Sequence, residues 1–173
     1  MRTRVTATAL GALLVLALAG CTTPGPTDPT PTPTSAFASE EEAFAAAEAT
    51  YRAYASAENA RREDPDAPDP QLFLTGSALE DHIDSQRRFD ELGIRLVGDS
   101  VVTAFNGQSS SGDLRRVTAV VCLDSTAARL LDSAGNDVTP EDRDATLALE
   151  ASLKFVGDSF LITDSEIAGD SSC

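Results

Sequence analysis

Beyond residue 39 this chain predicts an α+β domain: two N-terminal helices packed on a curved antiparallel sheet of about five strands. Three observations lead there. Apolar residues recur at three-to-four-residue steps in two stretches, each opened by a Ser-x-x-Glu pair. After Gly93 the period switches to two, most clearly over residues 146–155. Clusters of Gly, Asn, Asp and Ser separate the later apolar runs. Helices first and strands after is an α+β order, and antiparallel strands can pack one face on helices while the other meets water.

The chain opens with Arg2 and Arg4, an apolar run from Ala9 to Ala19, and then Leu18-Ala19-Gly20-Cys21. A basic start, a short apolar region and small residues before the cut are the marks of a cleaved export signal. The run has about 11 residues, well under the roughly 20 that a spanning helix needs. Thr3 separates the two arginines, so the twin-arginine signature is absent. The Leu-Ala-Gly-Cys box resembles that of bacterial lipoproteins. The resemblance covers residues 1–21 and implies a signal peptide over 1–20 and a thioether-linked diacylglycerol on Cys21. Acyl chains anchor by burying CH₂ groups at about 0.8 kcal/mol each, and a durable hold takes more than one chain. The expected location is the extracytoplasmic face of the cell membrane, with the membrane itself as partner through Cys21.

Loss of residues 1–20 from the 173 leaves 153, enough for one core after a linker is subtracted. The leader takes two of the 13 basic residues and none of the 28 acids, so the mature chain carries −17. Such a surface repels nucleic acid and anionic headgroups. Residues 21–38 read as the lipidated cysteine followed by a linker. Five prolines in TTPGPTDPTPTPTSA, residues 22–36, favour an extended stalk reaching about 45 Å.

The first helix is expected from Ser39 to about Arg62. Ser39 and Glu42 have capping-box spacing, and Glu40, Glu41 and Glu42 suit the positive end of the helix dipole. Phe44, Ala47, Tyr51 and Tyr54 or Ala55 form its apolar stripe. Three prolines between Asp64 and Pro70 end it. Leu72, Phe73 and Leu74 form a short apolar plug. A second helix over Ser77–Leu92 starts on the Ser77/Glu80 pair, presents Leu79, Ile83, Gln86, Phe89 and Leu92, and stops at Gly93.

Strands follow. Ile94 to Phe105 is expected as one strand bent at Gly98, with turns at Asn106-Gly107 and Ser109–Gly112. Leu114–Leu123 and Ala128–Leu131 are strands, the latter followed by a turn over 133–137. Residues 146–155 alternate cleanly, and Gly157-Asp158 turns them into Phe160–Ile167 as a hairpin. The expected core is Phe44, Tyr51, Leu149, Leu153 and Phe160.

With Cys21 assigned to lipid, Cys122 and Cys173 are left as a pair in an exported chain, where oxidation is permitted. A Cys122–Cys173 disulfide is the expectation. The alternative, two free thiols holding a metal, has no CxxC spacing and a single histidine to draw on.

At the level of element order, residues 39–173 resemble the nuclear transport factor 2-like cone fold of small exported proteins from high-GC Gram-positive bacteria. The carrying segments are AFAAAEATYRAYASA, FLTGSAL, RVTAVVCLDSTAARLLDSAGNDV and the hairpin ending in FLITDSEI. A strand common between the second and third helices of that fold is not evident here. The tryptophan of many relatives' last hairpin is also missing, and Phe160 is expected to fill its place. Isomerases and dehydratases of this fold use a pocket between helix and sheet with Tyr and Asp or His as acid and base. That resemblance implies Tyr51, Tyr54 and Asp124 as candidate pocket residues.

The chain contains no GxSxG elbow, P-loop, HExxH or GxGxxG motif. No cofactor and no metal are expected, and no catalytic residue is assigned. His82, between Asp81 and Asp84, reads as a half-exposed, salt-bridged surface histidine. Asp64, Asp66 and Asp69 read as a solvated loop, as do Asp132, Asn136 and Asp137. The expected function is a non-catalytic module of the cell envelope that binds a small ligand or a protein partner. The alternatives are a cone-fold enzyme acting on a small apolar substrate, and an accessory lipoprotein beside a transporter. A roomy interior with convergent Tyr, Asp or His groups would favour a ligand; a filled one would favour a surface partner.

Overall fold

A computed structural model describes residues 35–169 and Cys173. The expected signal peptide, Cys21 and the Pro/Thr stretch as far as residue 34 lie outside the described residues. Element order is α1 (Glu40–Glu63), a 3₁₀ turn (Pro70–Phe73), α2 (Gly76–Leu92), β1 (Arg95–Val97), β2 (Val101–Ser110), β3 (Arg116–Asp124), β4 (Arg129–Leu131), β5 (Thr146–Val156) and β6 (Ser159–Ile167). The α+β order therefore holds. The strands form two antiparallel sheets, one of four strands in the order β2-β3-β5-β6 and one of two, β1-β4. No helix among the described residues is long and apolar enough to cross a membrane.

The α1 N-terminus is capped as its sequence predicts. Ser39 Oγ accepts from the Glu42 amide at 3.2 Å, and the Glu42 carboxylate reaches back to the Ala38 amide at 2.8 Å. Just before the cap, Phe37 leaves the linker role given to it. Its ring stacks on Phe160 at 5.4 Å and meets Phe155 edge-on at 4.9 Å. The helix buries Ala43, Ala47 and Tyr51, and its small side chains let it lie close to the sheet. After α1, Asp69 caps the 3₁₀ turn by accepting from the Gln71 amide at 2.9 Å.

The start of α2 differs from the capping box. Ser77 Oγ does not cap the helix but faces β6, within reach of the Thr163 carbonyl at 2.9 Å and the Asp164 carboxylate. The helix consequently turns a different face inward. Ile83 and Leu92 are exposed, while Ala78, His82, Ser85 and Phe89 face the interior or its rim. The C-terminus is a Schellman end at Gly93 (φ 64°): Ile94 N–H donates to Phe89 O at 2.9 Å and Gly93 N–H to Asp90 O at 3.1 Å.

Two strand expectations are corrected. Ile94–Phe105 is not one bent strand but β1 and β2, in different sheets, which makes six strands among the described residues where about five were expected. At Gly98 (φ 75°) a Cβ would lie 2.3 Å from the Ala127 carbonyl, so the chain crosses there too closely for any side chain. The Asn59 side-chain amide then pairs with both backbone groups of Ser100, at 2.8 and 3.0 Å, in place of a neighbouring strand. Asn106-Gly107 is likewise not a turn but part of β2. Gly107 is bare because Phe44 covers it: a Cβ would sit 2.6 Å from the ring. The chain turns later, over Ser111–Leu114, with Leu114 in the left-handed region (φ 56°).

Register assigns the faces. Val121 pairs with Leu149 and Val117 with Leu153, so these point toward the helices with Phe160 and Ile162. Cys122 points to the opposite face and is disulfide-bonded to Cys173, with Cα atoms 5.6 Å apart. Of the expected core, Tyr51, Leu153 and Phe160 are buried, Phe44 packs at the edge, and Leu149 faces a cavity.

Candidate functional site

Between α1, α2 and the inner face of the sheet lies a cavity of about 300 Å³. Its floor is apolar, made by Leu74, Leu123, Leu149 and Ile162, with Ala78 from α2. The other wall is one stripe of α1. Tyr51, then Tyr54 and Ala55, then Glu58 and Arg62 recur at three-to-four-residue steps and so share a helix face. The stripe that is small at Ala43 and Ala47 becomes bulky and then charged, which holds the C-terminal half of α1 off the sheet.

Tyr51 and Tyr54 both line the cavity, their rings 5.9 Å apart and nearly perpendicular. Tyr51 Oη lies 3.2 Å from Ser165 Oγ on β6. Burial raises the Tyr51 pKa above the usual phenol value, and the Ser165 hydrogen bond offsets part of the rise. Tyr54 is raised further, first by burial and then by the negative charge of Glu58. Both phenols are therefore neutral hydrogen-bonding groups at physiological pH.

Asp124 does not join them. Leu123 faces the cavity, so the pleat turns Asp124 away. Its carboxylate accepts from Thr126 N at 2.8 Å and from the Thr126 hydroxyl, and these bonds hold its pKa below the usual carboxylate range. It works as a turn-former at the end of β3.

The acidic group at the cavity is instead Glu58, and its neighbour is His82. His82 is not the surface histidine expected from its flanking aspartates: its side chain is 8% exposed and its Nδ1 lies 3.1 Å from Glu58 Oε1. Its Nε2 lies 2.7 Å from the Gln86 side-chain nitrogen. With that amide donating, the ring proton sits on Nδ1, facing Glu58. The Nδ1 approach is off the hydrogen-bonding direction, and Glu58 Oε1 remains a buried oxygen with no hydrogen-bond partner among the described residues.

Arg62 stands one turn further along. Its Nη1 reaches Gly98 O at 2.8 Å, Asn59 Oδ1 at 3.0 Å and Ser100 Oγ at 3.4 Å. Its Nε is buried and has no hydrogen-bond partner among the described residues. Burial lowers the Arg62 pKa, and the charges of Glu58 and Asp99 oppose that shift. A second groove, of about 510 Å³, shares Glu58, Arg62, His82 and Ser85 with the cavity and adds Arg61 and Arg95. The polar cluster thus sits where the interior meets the groove.

Glu58, Arg62 and Ser165 were not singled out from the sequence. The signal for the first two was present, since they continue the Tyr51–Tyr54 stripe and place charges where the helix should bury apolar groups. The acidic loops have structural roles. Asp132 accepts from Ala134 N, Asn136 N and Asn136 Nδ2 at 2.8–2.9 Å, closing the turn after β4. Among the described residues no three His, Cys, Asp or Glu side chains converge as metal ligands.

No family model matches the chain, and no curated protein matches it. Among solved structures, it is similar to the intermembrane-space region of the chloroplast protein ARC6, at 21% identity and a TM-score of 0.51. The match covers 72% of this chain and 95% of that one, and it bears on the fold alone.

Proposed function

We propose that this chain is a lipoprotein, anchored through Cys21 on the extracytoplasmic face of the cell membrane, whose domain binds a small molecule in the cavity beneath α1. The cavity carries the reading. About 300 Å³ of space lies over an apolar floor and meets a convergent set of Tyr, Glu, His and Arg groups. That volume is at the lower end of small-molecule sites. A module acting only through its surface would have no use for an interior left open at this cost in packing. The leader, the Leu-Ala-Gly-Cys box and the Pro/Thr stalk support the anchor. Two helices laid over one face of a four-stranded sheet, with a cavity between, support a cone fold of nuclear transport factor 2-like type.

Two measurements test this. Metabolic labelling with an alkyne fatty acid is expected to mark the protein, and Cys21→Ala to abolish the label; label retained on the variant would overturn the anchor. Amide NMR shifts on titration with small aromatic compounds are expected to cluster at Tyr54, Ala78 and Ser165. Absence of any saturable shift would overturn the ligand-binding reading. The Glu58–His82 contact beside Tyr54 favours one second reading, an enzyme moving protons on a small apolar substrate. Turnover of a bound compound, lost in His82→Gln, would promote that reading over simple binding.

A further inference from the structure

We infer that the cavity takes a neutral molecule with an amide-type head, its N–H donated to Glu58 and its carbonyl accepting from Arg62, and an apolar body on the Leu74–Leu149–Ile162 floor. This rests on the ligand-binding reading above and specifies its chemistry.

Two orphaned polar atoms carry the inference. Among the described residues, Glu58 Oε1 and Arg62 Nε are buried atoms with no hydrogen-bond partner, His82 Nδ1 lying 3.1 Å from Glu58 Oε1 but off the hydrogen-bonding direction, and both residues line the same cavity. A buried charged group left unsatisfied costs more than a neutral one, so such atoms ask for a partner. The positions are four apart on α1, hence neighbours on one face. One is an acceptor and the other a donor. Arg62 cannot swing to find another partner, because Nη1 is held by Gly98, Asn59 and Ser100.

Charge selects among possible heads. Glu58 and Arg62 already offset one another, so a neutral head adds no net charge to a partly desolvated site. A carboxylate would face Glu58 and Asp81, both in the lining. An ammonium would meet Arg62 as well as the two carboxylates, and having no acceptor it would leave Arg62 Nε unsatisfied. An amide presents a donor and an acceptor side by side with no charge. Size limits the rest: the volume is about twice that of a cavity known to take benzene, which allows roughly a dozen non-hydrogen atoms.

The test uses the full exported chain with Cys21→Ala, so that no detergent competes for apolar probes. Four compounds share one phenylpropyl body: 3-phenylpropionamide, 3-phenylpropionate, 3-phenylpropylamine and propylbenzene. Dissociation constants are read by NMR titration. The amide is expected to bind at least about tenfold tighter than each of the others. Glu58→Leu is expected to abolish the preference for the amide, so that the amide binds no tighter than propylbenzene in the same variant. Should that variant fail to fold, the four-compound ranking on the parent chain decides alone. Propylbenzene binding as well as the amide would overturn the head-group assignment and leave the ligand-binding reading intact, as would either charged probe binding best. Failure of all four to bind would overturn both.

Discussion

Breaking the Cys122–Cys173 link should lower stability by about 4 kcal/mol. The two residues are 51 apart in sequence, and in the chain-entropy model a closed loop of that length removes about 4 kcal/mol of unfolded-state entropy at 25 °C. The choice of variant matters. Cys122 is buried on the outer face of β3, so replacing it would add a packing loss. Cys173 is exposed, and Cys173→Ser leaves Cys122 as a buried thiol that behaves as a small apolar group. In a Cys21→Ala background, this variant isolates the cross-link. With a urea m-value of about 2 kcal/mol per molar for a domain of this size, the midpoint should fall by about 2 M. Dithiothreitol should produce the same fall in the parent and none in the variant. Because the link restricts the unfolded chain, the variant should also show the larger m-value. A midpoint change under about 0.5 M, or two reactive thiols in the unreduced parent, would refute the reasoning.

Gly107→Ala should cost about 1–3 kcal/mol, since its Cβ would lie 2.6 Å from the Phe44 ring and the ring must move. The double variant with Phe44→Ala should recover part of that loss in a denaturation cycle, and strict additivity would show that the two do not meet. Phe37→Ala should cost about 1–3 kcal/mol by removing a partly buried ring from its contacts with Phe155 and Phe160; a urea midpoint equal to the parent's would return Phe37 to the linker. The chain has two tyrosines and no tryptophan, so tyrosinate absorbance near 295 nm reads Tyr51 and Tyr54 directly. Both pKa values are raised by burial, so the folded protein should show no ionisation near pH 10, where free tyrosine titrates. The unfolded chain ionises first as pH climbs, so the stability from these neutral phenols is complete below about pH 10 and is lost above it. A normal phenol titration without unfolding would contradict their burial.

Elements fixed by local chemistry were legible in the sequence. The Ser39 cap, the stop at Gly93, and the alternation and Gly157 turn of β5–β6 depend on residues a few positions apart, and all appear where they were expected. Features decided across the fold were not. Asn106-Gly107 is a local turn signal, but Phe44 from α1 needs the missing Cβ, so packing overrode the turn. The Ser77 hydroxyl could cap its own helix, yet β6 offers a carbonyl and a carboxylate that only tertiary structure brings near. That anchorage goes with the shift in α2's inward face, and with it His82 passes from the surface to the cavity. Asp124 failed for a simpler reason. A residue at a strand end faces the helices only if its parity matches the core positions, and Leu123 holds that parity.

The cavity itself follows from an asymmetry within α1. Its first half carries alanine at the inward positions 43 and 47, both fully buried, and one glycine across the sheet lets Phe44 settle. Its second half carries Tyr51, Tyr54, Glu58 and Arg62 on the same stripe. These side chains are too long and too polar for the close approach alanine allows, so the helix cannot lie flat along its whole length. A helix optimised for stability would continue the alanines and close the gap. This one ends instead in a charged pair held over Leu149 and Ile162, with two polar atoms that find no hydrogen-bond partner among the described residues. Local rules broken without an internal gain are expected where a site is being kept. The polar half of α1 is such a place, and the stability forgone there is the physical argument behind the binding site proposed above.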